Sequence, residues 1–437
     1  MKQQTGWDAY WIRGNVVTEH EVRENQVLEV RDGRIQGFHA TPPPGIPEYP
    51  TPGGWVLLPG FRDPHTHDLL GQLAAPSHTD EENMERMGRI AQAYARRGVT
   101  GVYVATFGAA IDDLLAYCRG ARMWMDRPEN GRQGAKVLGI NIEGSFINEA
   151  CRGAQPAEHC FMPHRWNCLE LIDRLWETGA VRLVNIVPDF GLPSLETIQH
   201  ARVKGLHVGA GHLKPEADLL QTAFEQYGLE YMVHFTNGPT GQSFKPFGGG
   251  GAFEGAMNLP IVKELVLDLI HVDPRYVLDI IRRTEERWGL DKVIAVTDAS
   301  FPLEAEIPEE AFQVGSTIAK KDESLHCLRT VAYVQPDGTR QPAPHHTLCG
   351  SLLTMDQAFT NLLRLFTRER EGHWYFHPAH TLEQAMIKSA QLCATNQSRL
   401  DWTYMDTGSL EVGKAADFVA GVIEEGAEGY RFHVRRT

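Results

Sequence analysis

Six residues spread over more than half of the chain have the side chains that metal-assisted hydrolysis needs: His65 and His67 in DPHTH, Glu143 in INIEG, His212 in GAGH, His234 in MVHF and Asp298 in VTDAS. His65 and His67 stand two apart, so an extended backbone turns both imidazoles to one side. All six are imidazole or oxygen ligand types suited to a divalent ion such as Zn²⁺. A buried Glu143 with no partner would be costly, which favours a ligand or ion-pair role. Any one of these residues alone is more often a packed or solvated side chain; the set carries the inference. Glu143, His212 and His234 supply three protein ligands and leave a position open for water, as catalytic sites need. Such an ion lowers the pKa of its water and polarises a carbonyl. Asp298 can orient that nucleophile, take its proton and return it to a leaving amine. His65 and His67 can hold a second ion or tune the first. The chemistry implied is hydrolysis of an amide or related C–N bond.

These residues need elements that bring them together, and the sequence supplies them. The run VLL at 56–58 reads as a buried strand ended by Pro59 and Gly60. It is followed by a helical pattern over 81–97 that Gly98 stops. Further strands are expected at 99–106, 136–143, 181–187, 206–211, 230–235, 264–270 and 292–298. Helical stretches such as 169–179 and 274–289 lie between them. The strand at 264–270 could instead continue a helix from Pro260. Eight short apolar strands alternating with helices predict an α/β fold, a (β/α)8 TIM barrel whose strand ends meet at one face. Each of the six residues falls at or just after a strand end, so that face would gather them.

The two ends of the chain read differently. Residues 9–39 alternate apolar and polar positions around an Asp32-Gly33 hairpin turn. Residues 41–53 are too proline-rich for a helix or inner strand and read as a linker. The tail, GSLEVGKAADFVAGVI, reads as short strands, so both ends are expected to build one small β-sandwich domain. The expected division is 1–55 and 401–437 for that domain and 56–400 for the barrel. Residues 301–346, long and polar, read as an excursion covering the substrate.

Composition narrows the function. The chain has 437 residues, 42% hydrophobic and 22% charged, which is ordinary for a globular protein. A net charge of −14 argues against nucleic acid and anionic membranes as partners. Cysteines at 118, 151, 160, 168, 327, 349 and 393 form no C-x-x-C pair and suggest a reduced, cytoplasmic setting. No apolar run reaches membrane-spanning length, and the N-terminus lacks the apolar core of a signal peptide.

The chain resembles the N-acetylglucosamine-6-phosphate deacetylases of the amidohydrolase superfamily. The likeness lies in LPGFRDPHTH (58–67), IEGSFINEACRGAQP (142–156), VNIVPD (184–189), GAGH (209–212), HFTNGP (234–239), LDLIHVDP (267–274), VTDAS (296–300), GSLLTMDQAFTNL (350–362) and GSLEVGKAADF (408–418). It covers nearly the whole chain in the family's order. The resemblance implies a small-molecule amino-sugar substrate, a metal-bearing barrel with a terminal β-sandwich, and a homodimer. It implies that Glu143, His212 and His234 hold the principal metal, Zn²⁺ with Fe²⁺ as an alternative. Asp298 is then the acid/base, and His65 and His67 can bind a second ion, giving one or two per chain. Asn237 and Gly238 fall where the family binds sugar and phosphate. His271 falls where a neighbouring subunit contributes a contacting histidine. Two departures stand out. Gln155 occupies a position where some members have a histidine steadying the carbonyl oxygen; it can donate a hydrogen bond but carries no charge. Lys245 is the nearest basic residue where members commonly have a phosphate-binding arginine, and it lacks the bidentate fork. The Gly248–Gly251 run reads as a hinge or a phosphate cradle.

Three functions follow: removal of acetate from N-acetylglucosamine 6-phosphate or a close amino-sugar phosphate; hydrolysis of another N-acyl sugar or a cyclic amide without the phosphate; and a binding protein that kept the fold without catalysis. The intact Asp298 and metal set argue against the last.

Overall fold

Alternation at the N-terminus folds into an antiparallel meander. Its strands are β1 (Ala9–Val17), β2 (Val22–Arg31) and β3 (Arg34–His39). Asp32 and Gly33 turn β2 into β3 at φ of 50° and 74°, the positive values that two-residue hairpins matching strand twist demand. The structure is a computed structural model. It describes residues 8–51, 53–67, 79–237, 249–300, 310–314, 316–322, 327–335, 337–344 and 347–436.

The next strand, β4 (Val56–Pro59), corrects one expectation. It pairs with β1 in the terminal sheet and does not open the barrel. The chain changes sheets at Gly60, where an added Cβ would run into the Thr100 side chain and the Asp417 carboxylate. The first barrel strand is β5 (Phe61–Thr66), FRDPHT, in which every residue is buried. Arg62 and Asp63 find partners inside the fold. Arg62 Nη1 donates to Asp401 Oδ2 at 2.9 Å, and Thr297 Oγ1 donates to Asp63 Oδ2 at 2.5 Å.

From β5 the barrel runs through β6 (Val99–Ala105), β7 (Lys136–Phe146), β8 (Val181–Ile186), β9 (His207–Ala210), β10 (Tyr231–Met232), β11 (Val262–Val266) and β12 (Val293–Val296). Each is parallel to its neighbour in sequence. The seventh position is a strand, not the continuation of a helix. Closure falls just beyond the strands: Asp298 N–H donates to His65 O and His67 N–H to Ala299 O, each at 2.9 Å. The seam of the (β/α)8 barrel thus places Asp298 beside His65 in β5 and His67 just after it.

Side chains alternate as a closed parallel barrel requires. Tyr103, Leu183, Tyr231, Val266, Ile294 and Val296 fill the interior. Val102, Val104, Val184 and Leu265 point outward under the helices. Those helices start and stop on local signals. Helix Asp80–Ala95 opens on a capping box in which Thr79 Oγ1 accepts Glu82 N–H and Glu82 Oε2 accepts Thr79 N–H. Helix Pro274–Trp288 starts on an Asp273 cap with proline in its first turn.

After β12 the chain makes its excursion, an antiparallel sheet of β13 (Phe312–Val314), β14 (Thr317–Asp322), β15 (Cys327–Val334) and β16 (Arg340–Pro342). It leans on the loop after β7: Tyr333 Oη donates to Gly153 O and Thr317 Oγ1 to Ala154 O, both at 2.8 Å. A short ladder, β17 (Arg370–Glu371) with β18 (Phe376–His377), follows. Finally β19 (Phe418–Gly426) and β20 (Gly429–Arg436) complete a six-stranded terminal sheet in the order β20-β19-β4-β1-β2-β3. Val17, Val56, Leu58, Val419 and Phe432 join that sheet to the barrel's outer core, while Tyr10, Ile12, Leu28, Val30 and Phe418 form a second apolar cluster. Among the described residues, no helix is long and apolar enough to cross a membrane.

Candidate active site

The six chemistry-bearing residues meet at one mouth. His65 lies in β5 and His67 follows that strand directly, one fully buried and the other 2% exposed. Glu143 lies within β7, where pairing with β8 slips between Ile142 and Phe146. Gly144 makes the kink at φ 85°; a Cβ there would meet the Gln155 amide. His212, His234 and Asp298 each follow a strand end, at φ of 57°, 30° and 47°. Left-handed backbone at non-glycine residues costs on the order of 1–3 kcal/mol apiece and gathers at functional sites. Here it turns three side chains back over the barrel mouth.

Glu143 is the hub. Its Oε1 lies 3.0 Å from His212 Nε2 and 3.2 Å from His234 Nε2. Its Oε2 lies 3.5 Å from His67 Nε2 and 4.0 Å from His65 Nε2. Asp298 Oδ1 stands across the site, 3.2 Å from His67 Nε2 and 3.7 Å from His65 Nε2. Two ligand groups result, Glu143–His212–His234 and His65–His67–Glu143. Burial pushes the Glu143 and Asp298 carboxyls up. The surrounding imidazoles outweigh it and hold both below the usual carboxylate range.

The donor set fits a divalent cation. His212 and His234 point their Nε2 atoms at each other, 3.0 Å apart, over a shared carboxylate oxygen. His212 Nδ1–H donates to Cys151 O at 2.9 Å, which leaves the Nε2 lone pair facing inward. His65 Nε2 is buried without a hydrogen-bond partner. Several lone pairs converging in a buried pocket are what a cation satisfies.

A cavity of about 260 Å³ opens over this cluster, and Phe107, Gln155, Asn237, His271 and Leu348 line it together with the ligands. Gln155 is already engaged: its Nε2 donates to Glu143 Oε2 at 2.8 Å, and its Oε1 accepts Gly108 N–H at 2.9 Å. Its amide N–H thus braces the hub carboxylate. His271 lines the cavity of its own chain, its Nδ1–H donating to Asp268 Oδ2 at 2.6 Å. Asn237 lies at the rim and is exposed. Gly238 and Lys245 lie outside the described residues.

One participant escaped the sequence reading. Glu264, in β11, is fully buried and accepts two hydrogen bonds on Oε2, from His65 Nδ1–H at 3.0 Å and from the His234 backbone N–H at 2.9 Å. The clue was a pair of adjacent charges, Lys263-Glu264, inside an otherwise apolar barrel strand. Buried charge there demands a partner.

No family model matches the chain. Among curated proteins it is 27% identical over 272 residues to the N-acetylglucosamine-6-phosphate deacetylase of Bacillus subtilis (strain 168), an alignment spanning 59% of this chain and 63% of that one. It is 24% identical over 411 residues to the N-acetylgalactosamine-6-phosphate deacetylase of Escherichia coli O157:H7, across 93% of each chain. Among solved structures it superposes on a mutant N-acetyl-D-glucosamine-6-phosphate deacetylase from Mycobacterium smegmatis, in complex with N-acetyl-D-glucosamine-6-phosphate. The TM-score is 0.75 at 19% identity, over 98% of both chains. At that identity the structural likeness speaks for the fold.

Proposed function

We propose, for a chain whose curated relatives include N-acetylglucosamine-6-phosphate and N-acetylgalactosamine-6-phosphate deacetylases, that it hydrolyses the acetamide of an N-acetyl amino-sugar phosphate to acetate and the free amine. The observation that carries this reading is a single carboxylate, Glu143, shared by two imidazole groups, with Asp298 facing both across a cavity of about 260 Å³.

Glu143, His212 and His234 would hold the principal ion, with His65 and His67 on the other side of the carboxylate. A cation there supplies Lewis-acid polarisation of an amide carbonyl and a water acidic enough to attack near neutral pH. Asp298, kept ionised, accepts the proton of the attacking water. It then delivers that proton to the sugar nitrogen as the C–N bond breaks. Gln155 holds Glu143 in place through its amide N–H. Asp268 accepts His271 Nδ1–H and favours the protonated ring, so Nε2–H can donate to a sugar or phosphate oxygen. The return leg of the excursion, at Leu348, walls the cavity from the side. Zn²⁺ is the ion this ligand chemistry suits best, with Fe²⁺ as the alternative. The homodimer and cytoplasmic setting expected from the sequence belong to the same reading.

The test is acetate release by the purified, metal-replete protein from N-acetylglucosamine 6-phosphate, N-acetylgalactosamine 6-phosphate and N-acetylglucosamine. The expected result is turnover of a phosphorylated sugar well above the unphosphorylated one, and the two phosphates decide the epimer. Equal rates with and without the phosphate would remove phosphate recognition from the function. No release from any of the three would overturn the deacetylase reading.

A further inference from the structure

We infer that Glu264 is a positioning residue for the metal centre: it orients the His65 imidazole toward the ion that the His65–His67–Glu143 group would hold. The inference rests on the metal-dependent reading above and deepens it.

The geometry is that of a carboxylate braced behind a ligating histidine. Glu264 points into the barrel, because Leu265 beside it faces outward and Val266, two positions on, faces inward. Its Oε2 accepts His65 Nδ1–H at 3.0 Å. With the proton fixed on Nδ1, the lone pair sits on Nε2, the atom that faces Glu143 Oε2 and Asp298 Oδ1. That Nε2 is buried and has no hydrogen-bond partner. Glu264 has negligible exposure, and the same oxygen also accepts the His234 backbone N–H at 2.9 Å. One fixed anion therefore registers a ring of one ligand group against the backbone of the other. It also places negative charge behind His65, which raises the basicity of the ligating nitrogen; losing such a brace typically costs ~10–100-fold in metal affinity.

Calorimetric titration of metal-free protein with Zn²⁺, with elemental analysis of the dialysed product, tests this without substrate. The wild-type chain should take up two ions. Glu264→Gln keeps a neutral acceptor for the His234 amide but removes the charge behind His65. It should weaken one of the two ions by ~10–100-fold and leave the other unchanged. Glu264→Asp, which restores the charge on a shorter arm, should recover part of that loss, and it carries the same test if the glutamine variant does not fold. A wild-type stoichiometry of one, two ions bound unchanged in Glu264→Gln, or equal loss of both ions would each overturn the inference. Selective loss of one ion in a protein that releases acetate from no N-acetyl sugar would sustain it while the deacetylase reading fell.

Discussion

The two histidine pairs around Glu143 are built by opposite means. His65 and His67 belong to one strand exit, where the pairing with β6 slips between Asp63 and Thr66, and are locked by the backbone bonds that close the barrel. Behind His65 stands a fixed charge, Glu264. His212 and His234 come from separate strands, and each sits in a left-handed turn. Behind His212 stands only a loop carbonyl, Cys151 O. His234 Nδ1 is buried with no hydrogen-bond partner. The first pair is held by the sheet and by charge. In the second, His234 is anchored by its backbone N–H to Glu264, but His212 depends on the loop 147–155, and through it on the excursion sheet that leans on Gly153 and Ala154. One carboxylate joins a rigid half to a half tuned by loops.

The sharpest way to break that contrast is to remove what the halves share. Glu143→Ala should abolish metal retention on both sides and turnover with it, read as ions per chain after dialysis and as acetate release. An alanine variant that kept either ion tightly would mean the halves are independent. Asp298→Asn should act on chemistry alone. Turnover should fall by ~10²–10⁴-fold, the range for a lost general acid–base, with metal content as in wild type. Comparable turnover in the variant would place the proton shuttle elsewhere.

The same contrast explains what the sequence disclosed. Glu143, His212, His234 and Asp298 were legible because each follows an apolar run at a strand end, and the barrel brings such ends together. The first barrel strand was misplaced by an apolar run that looked more like a strand than the true one. VLLP is uniformly apolar, whereas FRDPHT is buried only because Arg62 and Asp63 find partners in Asp401 and Thr297, hundreds of residues away. No local pattern encodes those partners. Glu264 was passed over for the same reason: its meaning lies in His65, 199 positions earlier in the chain. Gln155 was found, but its engagement with Glu143 depends on the kink at Gly144 and a close approach to Gly108.

That kink gives the next perturbation. Gly144→Ala places a methyl against the Gln155 amide at a positive φ. Strain alone costs on the order of 1–3 kcal/mol, and displacing Gln155 should loosen Glu143 and lower metal affinity. Gly191→Ala has a similar positive φ, 66°, with nothing within 4 Å of the new methyl. It should lose stability without losing metal, so denaturant unfolding paired with Zn²⁺ titration separates the two effects.

The smallest effect should come from the far end of the loop-dependent half. Tyr333→Phe removes the hydroxyl that donates to Gly153 O at 2.8 Å but leaves the ring under the Arg152 guanidinium, 4.9 Å away. One neutral hydrogen bond is worth ~0.5–1.5 kcal/mol, and its loss loosens the excursion sheet from the loop that faces the cavity, while Thr317 Oγ1 still donates to Ala154 O. His212 keeps its own bond to Cys151 O, so the metal ligands stay in register. The variant should therefore raise KM a few-fold with kcat nearly unchanged. A fall in kcat with KM unchanged would mean that the excursion sets the metal geometry and not substrate access, and the loop-tuned half would then extend out to β15.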